Sequence, residues 1–339
     1  MQGDKDSGPG GAAAGHPYDR LTPVVILDAV DNLGRCSDGR LLALNSYENR
    51  VYQVGMEDGP PLIAKFYRPG RWSDAAILEE HAFTQALADH EIPAVPPLAD
   101  ADGRTLFEHA GFRFALYPRR GGHWPELDNP DHLHWLGRFI GRIHALGAVR
   151  PFEHRPSLDI DTFGTQSCRY LLEHAFIPGH LLDAYTTLTA DLLDAVRAAF
   201  GRAGPVRRLR LHGDCHPGNI LWTDAGPHFV DFDDARMGPA VQDLWMLLSG
   251  DRTEMTAQLS EIADGYNQFH SFDPRELHLV EALRTLRMLH YSAWLARRWQ
   301  DPAFPRSFPW FNTPRYWEEQ VLALREQAAL LQEPPLALG

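Results

Sequence analysis

Asp214 and Asn219 stand five residues apart, and Asp231 follows twelve residues after Asn219. They sit in Leu211-His212-Gly213-Asp214-Cys215-His216-Pro217-Gly218-Asn219-Ile220-Leu221 and in Phe229-Val230-Asp231-Phe232-Asp233-Asp234. Phosphoryl transfer from ATP uses such a set. One carboxylate takes the proton of the attacking hydroxyl, while an amide and a second carboxylate hold Mg²⁺ against the phosphates. Asp-x-x-x-x-Asn is the spacing of a kinase catalytic loop, and Gly213 and Gly218 permit its tight backbone. The bland reading is a polar turn between two strands. The apolar Ile220-Leu221-Trp222 run and the second Val-Asp argue for the catalytic one. Among the three clustered acids, Asp231 ends an apolar strand and is the expected metal ligand, with Asp233 second and Asp234 assigned to turn hydrogen bonds.

Other chemistries fit less well. His212, Cys215 and His216 have no second spaced pair, so zinc is not expected, and His212 is read as bracing its own loop. No G-x-S-x-G hydrolase motif occurs. Lys65 lies mid-strand in an apolar run, where an unpaired ammonium is costly, so it should face a functional cleft. There it would contact phosphates, held by a helix glutamate. Glu79 and Glu80 compete for that place, and register selects Glu80, which shares the inward face of Phe83 and Leu87. Asn45-Ser46-Tyr47-Glu48-Asn49-Arg50 would cover the phosphates through Ser46 and backbone N–H groups, although it has no glycine. Asp243 is read as capping a helix, as holding the catalytic-loop backbone from below, or as doing both.

These residues need elements to position them. Leu41–Leu44, Val51–Val54, Leu62–Tyr67, Thr105–Phe107 and Phe112–Tyr117 read as strands. Ser73 is the predicted N-cap of a helix reaching about Asp89. The turn cluster at Pro118–Gly122 ends the strand signal. Helices follow over Leu133–Leu146, Leu181–Phe200, Asp243–Leu248, Arg275–Trp299 and Tyr316–Leu331, with short strands at Leu209–Leu211 and His228–Asp231. The aromatic tail, Trp294 to Trp317, reads as core packing. The expected organisation is α+β: a disordered tail over 1–20, a β-rich lobe over 21–118, a hinge at 119–123 and a helical lobe over 124–336.

The 339 residues suffice for two lobes. A net charge of −13 argues against nucleic acid and leans slightly towards a cationic acceptor. Three scattered cysteines fit a reducing, cytoplasmic setting without disulfides. No signal peptide or membrane-spanning run is read, and a monomer is expected.

The two opening motifs resemble the aminoglycoside phosphotransferase and choline kinase group, a branch of the protein-kinase-like fold. Leu44–Gln53, Lys65–Pro69, Ile77–His81, Gly238–Leu248, Ala293–Trp299 and Asp301–Pro305 are similar to its bacterial stress-response serine/threonine kinases, a resemblance covering about residues 20 to 336. It implies a kinase using ATP and Mg²⁺ on a protein Ser or Thr. Asp214 would accept the proton, Asn219 and Asp231 would bind Mg²⁺, and Lys65 and Ser46 would contact ATP. Adenine would lie against the backbone from Tyr117 to Arg119. Only a short stretch separates Asp231 from Gly238-Pro239, with no A-P-E motif, so the acceptor must be presented without a protein kinase's activation segment. A small-molecule kinase with an aminoglycoside, choline, homoserine or sugar-amine acceptor is the alternative. A non-catalytic nucleotide scaffold is disfavoured, because a scaffold needs no base.

Overall fold

A computed structural model describes residues 16–338. Helix α1 (Pro23–Asp31) opens on Thr22, whose hydroxyl accepts from Val25 N–H. Strands β1 (Ser37–Ala43), β2 (Arg50–Met56) and β3 (Leu62–Phe66) follow, then helix α2 (Asp74–Asp89) and strands β4 (Phe107–His109) and β5 (Phe112–Pro118). The five strands form one antiparallel sheet in the order β1-β2-β3-β5-β4. Lys65 is therefore on the central strand, opposite Val51 on one side and Ala115 on the other. Ser73 caps α2 as its sequence predicts, accepting from Ala76 N–H.

One face of the sheet packs Val54, Ala64, Phe66, Phe112, Phe114 and Leu116 against Ile26, Ala29 and Val30 of α1. The expectation of a disordered tail over 1–20 does not hold at its end. Residues 1–15 lie outside the described region, but Pro17–Arg20 forms a 3-10 turn. Tyr18 is buried there and donates its hydroxyl to the Phe66 carbonyl. An aromatic side chain with a polar tip anchors this segment where composition alone suggests none.

The remainder is mostly helical: α3 (Pro130–Gly147), α4 (Gln166–Glu173), α5 (Leu182–Ala203), then the short strands β6 (Leu209–Leu211), β7 (Ile220–Thr223), β8 (Gly226–Phe229) and β9 (Arg236–Gly238). Helices α6 (Val241–Trp245), α7 (Arg252–Tyr266), α8 (Val280–Arg297), α9 (Ala303–Ser307) and α10 (Pro314–Leu330) complete it. Two antiparallel ribbons, β6–β9 and β7–β8, hold the Asp214 loop between them. The lobes are stitched by backbone bonds: Phe229 N–H donates to Pro93, and Val95 N–H to Phe229. His123 and Trp222 exchange two more.

Helix α3 lies very close to α7. A Cβ at Gly137 would stand 2.0 Å from the Ile262 carbonyl oxygen, and one at Gly265 2.1 Å from that of His134. Gly137→Ala should therefore destabilise the fold by ~1–3 kcal/mol through overpacking. Gly201→Ala, in exposed α5 with nothing within 4 Å, should be neutral or stabilising by up to ~1 kcal/mol. Urea midpoints of the two variants check this; equal midpoints would remove the close-approach argument.

Candidate active site

The catalytic-loop backbone hangs on one carboxylate. Asp243, inside α6, accepts His212 N–H through Oδ2 and Gly213 N–H through Oδ1, each at 2.8 Å. His144 Nε2 meets the same Oδ2 at 3.0 Å, and His144 Nδ1 meets the Tyr266 hydroxyl. Asp243 thus holds the loop from below and is not the α6 N-cap, a position taken by Ala240. Gly213 has φ +85°, and a Cβ there would meet the Asp234 carbonyl oxygen at 2.2 Å. His212 braces the loop as expected, with Nε2 2.9 Å from the Val230 carbonyl and Nδ1 accepting Asp214 N–H.

Asn219 donates Nδ2 to the Asp214 carbonyl at 3.0 Å and to its Oδ2 at 3.4 Å. Asp214 Oδ1 accepts from Arg287 Nη1 of α8 at 2.6 Å, and His216 Nε2 is 3.5 Å from Oδ2. Burial would raise this carboxyl's pKa. The His216 hydrogen bond and the Arg287 charge overcome that and hold it well below the usual carboxylate range.

Asp231 adopts the left-handed conformation, φ 59° and ψ 62°. Such backbone costs roughly 1–3 kcal/mol outside glycine and clusters at functional sites. Its Oδ1 accepts Lys65 Nζ at 2.8 Å, and Asp233 Oδ1 is 3.3 Å from the same ammonium. Burial alone would lower the Lys65 pKa; the two carboxylates keep it well above its ordinary value. Arg71 pairs with Asp233 and, at 2.9 Å, with Asp234, so Asp234 is an ion-pair partner and not only a turn former.

The expected Lys65–Glu80 pair is not formed. Glu80 does share the inward face of α2 and is 2% exposed, but Lys65 crosses the cleft to Asp231 instead. The lone ammonium goes to the nearer pair of carboxylates. Glu80 Oε2 has no hydrogen bond, and burial pushes its pKa up to about 7 against the opposing pull of Lys65. Neighbouring His81 is pushed down to about 3 by burial, then by Lys65 and Arg155, so it is neutral between the Tyr67 and Thr105 hydroxyls. Glu79, half-buried, accepts the N–H groups of Glu153, His154 and Arg155. It docks α2 onto the helical lobe.

The glycine-free loop over the cleft is fastened from both lobes. Ser46 Oγ donates to the Asn49 carbonyl at 3.0 Å. Glu48 accepts from Arg68 and, across the lobes, from Arg298 and Trp294 Nε1. Asp301 receives Arg50 and Arg68. Ser46, Lys65, Glu80, Tyr117, Asp214, Asn219, Asp231 and Asp233 line one cleft of about 1020 Å³ between the lobes. Pro118 and Arg120 continue its wall, whereas the Arg119 guanidinium turns to Gln53. Arg71, Arg287 and the anchoring role of Glu79 had no signal in sequence, because each acts across 70 residues or more on a partner that only folding brings near.

This is the floor and roof of a phosphotransferase site, and the chain belongs to the phosphotransferase enzyme family (APH), whose model matches residues 40–280. It is a kinase of that family. Among curated proteins it is 47% identical over 321 residues to "Stress response kinase A" of Escherichia coli K12, covering 95% of this chain and 97% of the relative. It is 46% identical, with the same coverage, to "Serine/threonine protein kinase RdoA" of Salmonella typhimurium. Among solved structures it is similar in fold to amicoumacin kinase hAmiN in complex with AMP-PNP, Ca²⁺ and Ami, at TM-score 0.69 and 18% identity over 89% of this chain and 91% of that one.

Glu80 binds its proton more tightly folded than unfolded, where its pKa is 4.5. Its contribution to stability is thus greatest below about pH 4.5 and is lost as pH rises to about 7. Relative to wild type, Glu80→Gln should gain stability across that window by ~3 kcal/mol, at ~1.4 kcal/mol per pH unit. Urea denaturation of both proteins at pH 5 and pH 8 measures it. A pH-independent difference would mean Glu80 titrates normally.

Proposed function

We propose that the chain transfers the γ-phosphate of ATP to a Ser or Thr hydroxyl of a protein, as a bacterial stress-protection kinase of the cytoplasm. The observation that carries this reading is the match along 95% of the chain to relatives named as stress-response and serine/threonine kinases. Asp214 orients the acceptor hydroxyl and takes its proton. Lys65 holds phosphate, and Ser46 and its loop cover it. Tyr117 to Arg119 offers backbone to adenine. The free cysteines Cys36, Cys168 and Cys215 fit a reducing compartment.

The donor set suits a hard divalent cation. Asn219 uses its amide nitrogen within the loop, so its carbonyl oxygen is left for a metal. Asp233 Oδ1 is buried with no hydrogen bond, facing only the Lys65 ammonium at 3.3 Å. Asn219, Asp231 and Asp233 would hold Mg²⁺, which supplies charge neutralisation at the phosphates.

A small-molecule kinase is the second reading. Only the 3-10 turn Phe232–Asp234 and β9 join Asp231 to Pro239, leaving no segment to lay out a peptide, and the amicoumacin kinase shares the fold.

ATP labelled at the γ-phosphate should label the protein itself or a generic protein substrate. Asp214→Asn should lower that rate ~10²–10⁴-fold with nucleotide affinity near wild type, and Lys65→Ala should weaken nucleotide binding. Turnover of an amino alcohol or aminoglycoside with no protein label would decide for the second reading.

A further inference from the structure

The Asp214 carboxylate is 23% exposed and is already partly engaged. Its Oδ1 is taken by Arg287, and Asn219 and His216 lie 3.4 and 3.5 Å from Oδ2. Among the described residues Asp214 is the sole hydrogen-bond partner of Arg287, a five-donor group using one donor. The Arg287 side chain is 42% exposed and sits in the cleft wall, so it can swing without leaving the site.

That wall is α8, which lines the cleft with Arg287, His290, Tyr291, Trp294, Arg297 and, at its end, Arg298. No acid shares it. The one carboxylate of α8, Glu281, is engaged elsewhere, with Arg284 and Gln327. His290 is neutral, pushed down to about 3 by burial and by Arg236. Arg297 has no carboxylate within ion-pair distance among the described residues, donating only to the Gln166 carbonyl. The acids opposite are already matched: Asp231, Asp233 and Asp234 by Lys65, Arg71 and Arg236, and Glu48 by Arg68 and Arg298.

An acceptor hydroxyl that takes over Asp214 Oδ1 displaces Arg287, whose donors are then free for an anion on the same acceptor. We propose that the acceptor carries a carboxylate or phosphate beside its hydroxyl, bound by Arg287 as it leaves Asp214, with Arg297 extending the recognition along α8. This rests on Asp214 serving the transfer as proposed above. The hydroxyl oxygen then attacks the γ-phosphorus, the bond to the β–γ bridging oxygen breaks, ADP leaves with that electron pair, and the hydroxyl proton passes to Asp214. The overall charge of −13 leans towards a cationic acceptor, but the cleft beside the base has the opposite local character. The same chemistry is met by a Ser or Thr flanked by acidic residues and by a small hydroxy acid.

The test measures label transfer from ATP, at constant ionic strength, to a Ser peptide flanked by Glu, its Gln-flanked and Lys-flanked counterparts, glycerate and glycerol. Wild type should favour the anionic member of a pair about tenfold in kcat/KM, the worth of one charge-assisted hydrogen bond. Preference among the peptides points to a polypeptide source, and preference for glycerate alone to a small hydroxy acid. Arg287→Gln should bring the ratio to about one by raising KM for the anionic acceptor, and Arg287→Lys should restore part of it, since a point charge still attracts. Label on the neutral or basic acceptors at equal or greater efficiency, or an unchanged ratio in Arg287→Gln, overturns this proposal while the kinase reading stands. Label on no acceptor and none on the protein itself overturns both.

Discussion

The site depends on a single buried carboxylate. Asp243 turns two backbone N–H groups, those of His212 and Gly213, towards itself and so fixes where Asp214 begins. A carboxylate that accepts from two buried amides makes strong hydrogen bonds where water cannot compete. His144 and Tyr266 tie that carboxylate to α3 and α7. The close glycine contacts between those helices thereby reach the chemistry, because they set the height of the shelf on which the loop rests.

Above that shelf the cleft is a chain of matched charges. Lys65 bridges Asp231 and Asp233, Arg71 bridges Asp233 and Asp234, and Arg236 closes on Asp234. Lys65, Arg71, Asp233 and Arg236 are desolvated enough to need their neighbours, whereas Asp231 is half exposed. Phosphates and a divalent cation would enter by exchanging partners within this set, without exposing a bare charge. Glu80 stands beside it with its pKa raised to about 7 and Oε2 without a hydrogen bond, next to the lysine it was expected to hold.

Local patterns carry most of the fold. The sheet strands, the Ser73 cap, α3, α5 and α10 follow from periodicity and capping residues within a few positions of where they occur. The Asp214, Asn219 and Asp231 motif is legible because its spacing is set by a short loop and one ribbon. What escapes reading is long-range. Helix α1 is nine residues whose place depends on the sheet beneath it. Helix α7, with few apolar residues, is secured by a capping box at Asp251 and by backbone contact with α3. The Lys65 partner and the Arg287 contact were beyond sequence, since a charge takes whichever opposite charge folding leaves nearest.

The roof of the cleft has a consequence for how the molecule is made. Glu48 is fastened to Trp294, 246 residues further along, and Arg50 to Asp301, 251 further along. During synthesis the sheet and the Asp214 loop emerge well before either anchor. A growing chain therefore carries Lys65, Asp214 and Asp231 before the loop over the cleft can be fastened, which happens only when α8 and the turn after it have been added.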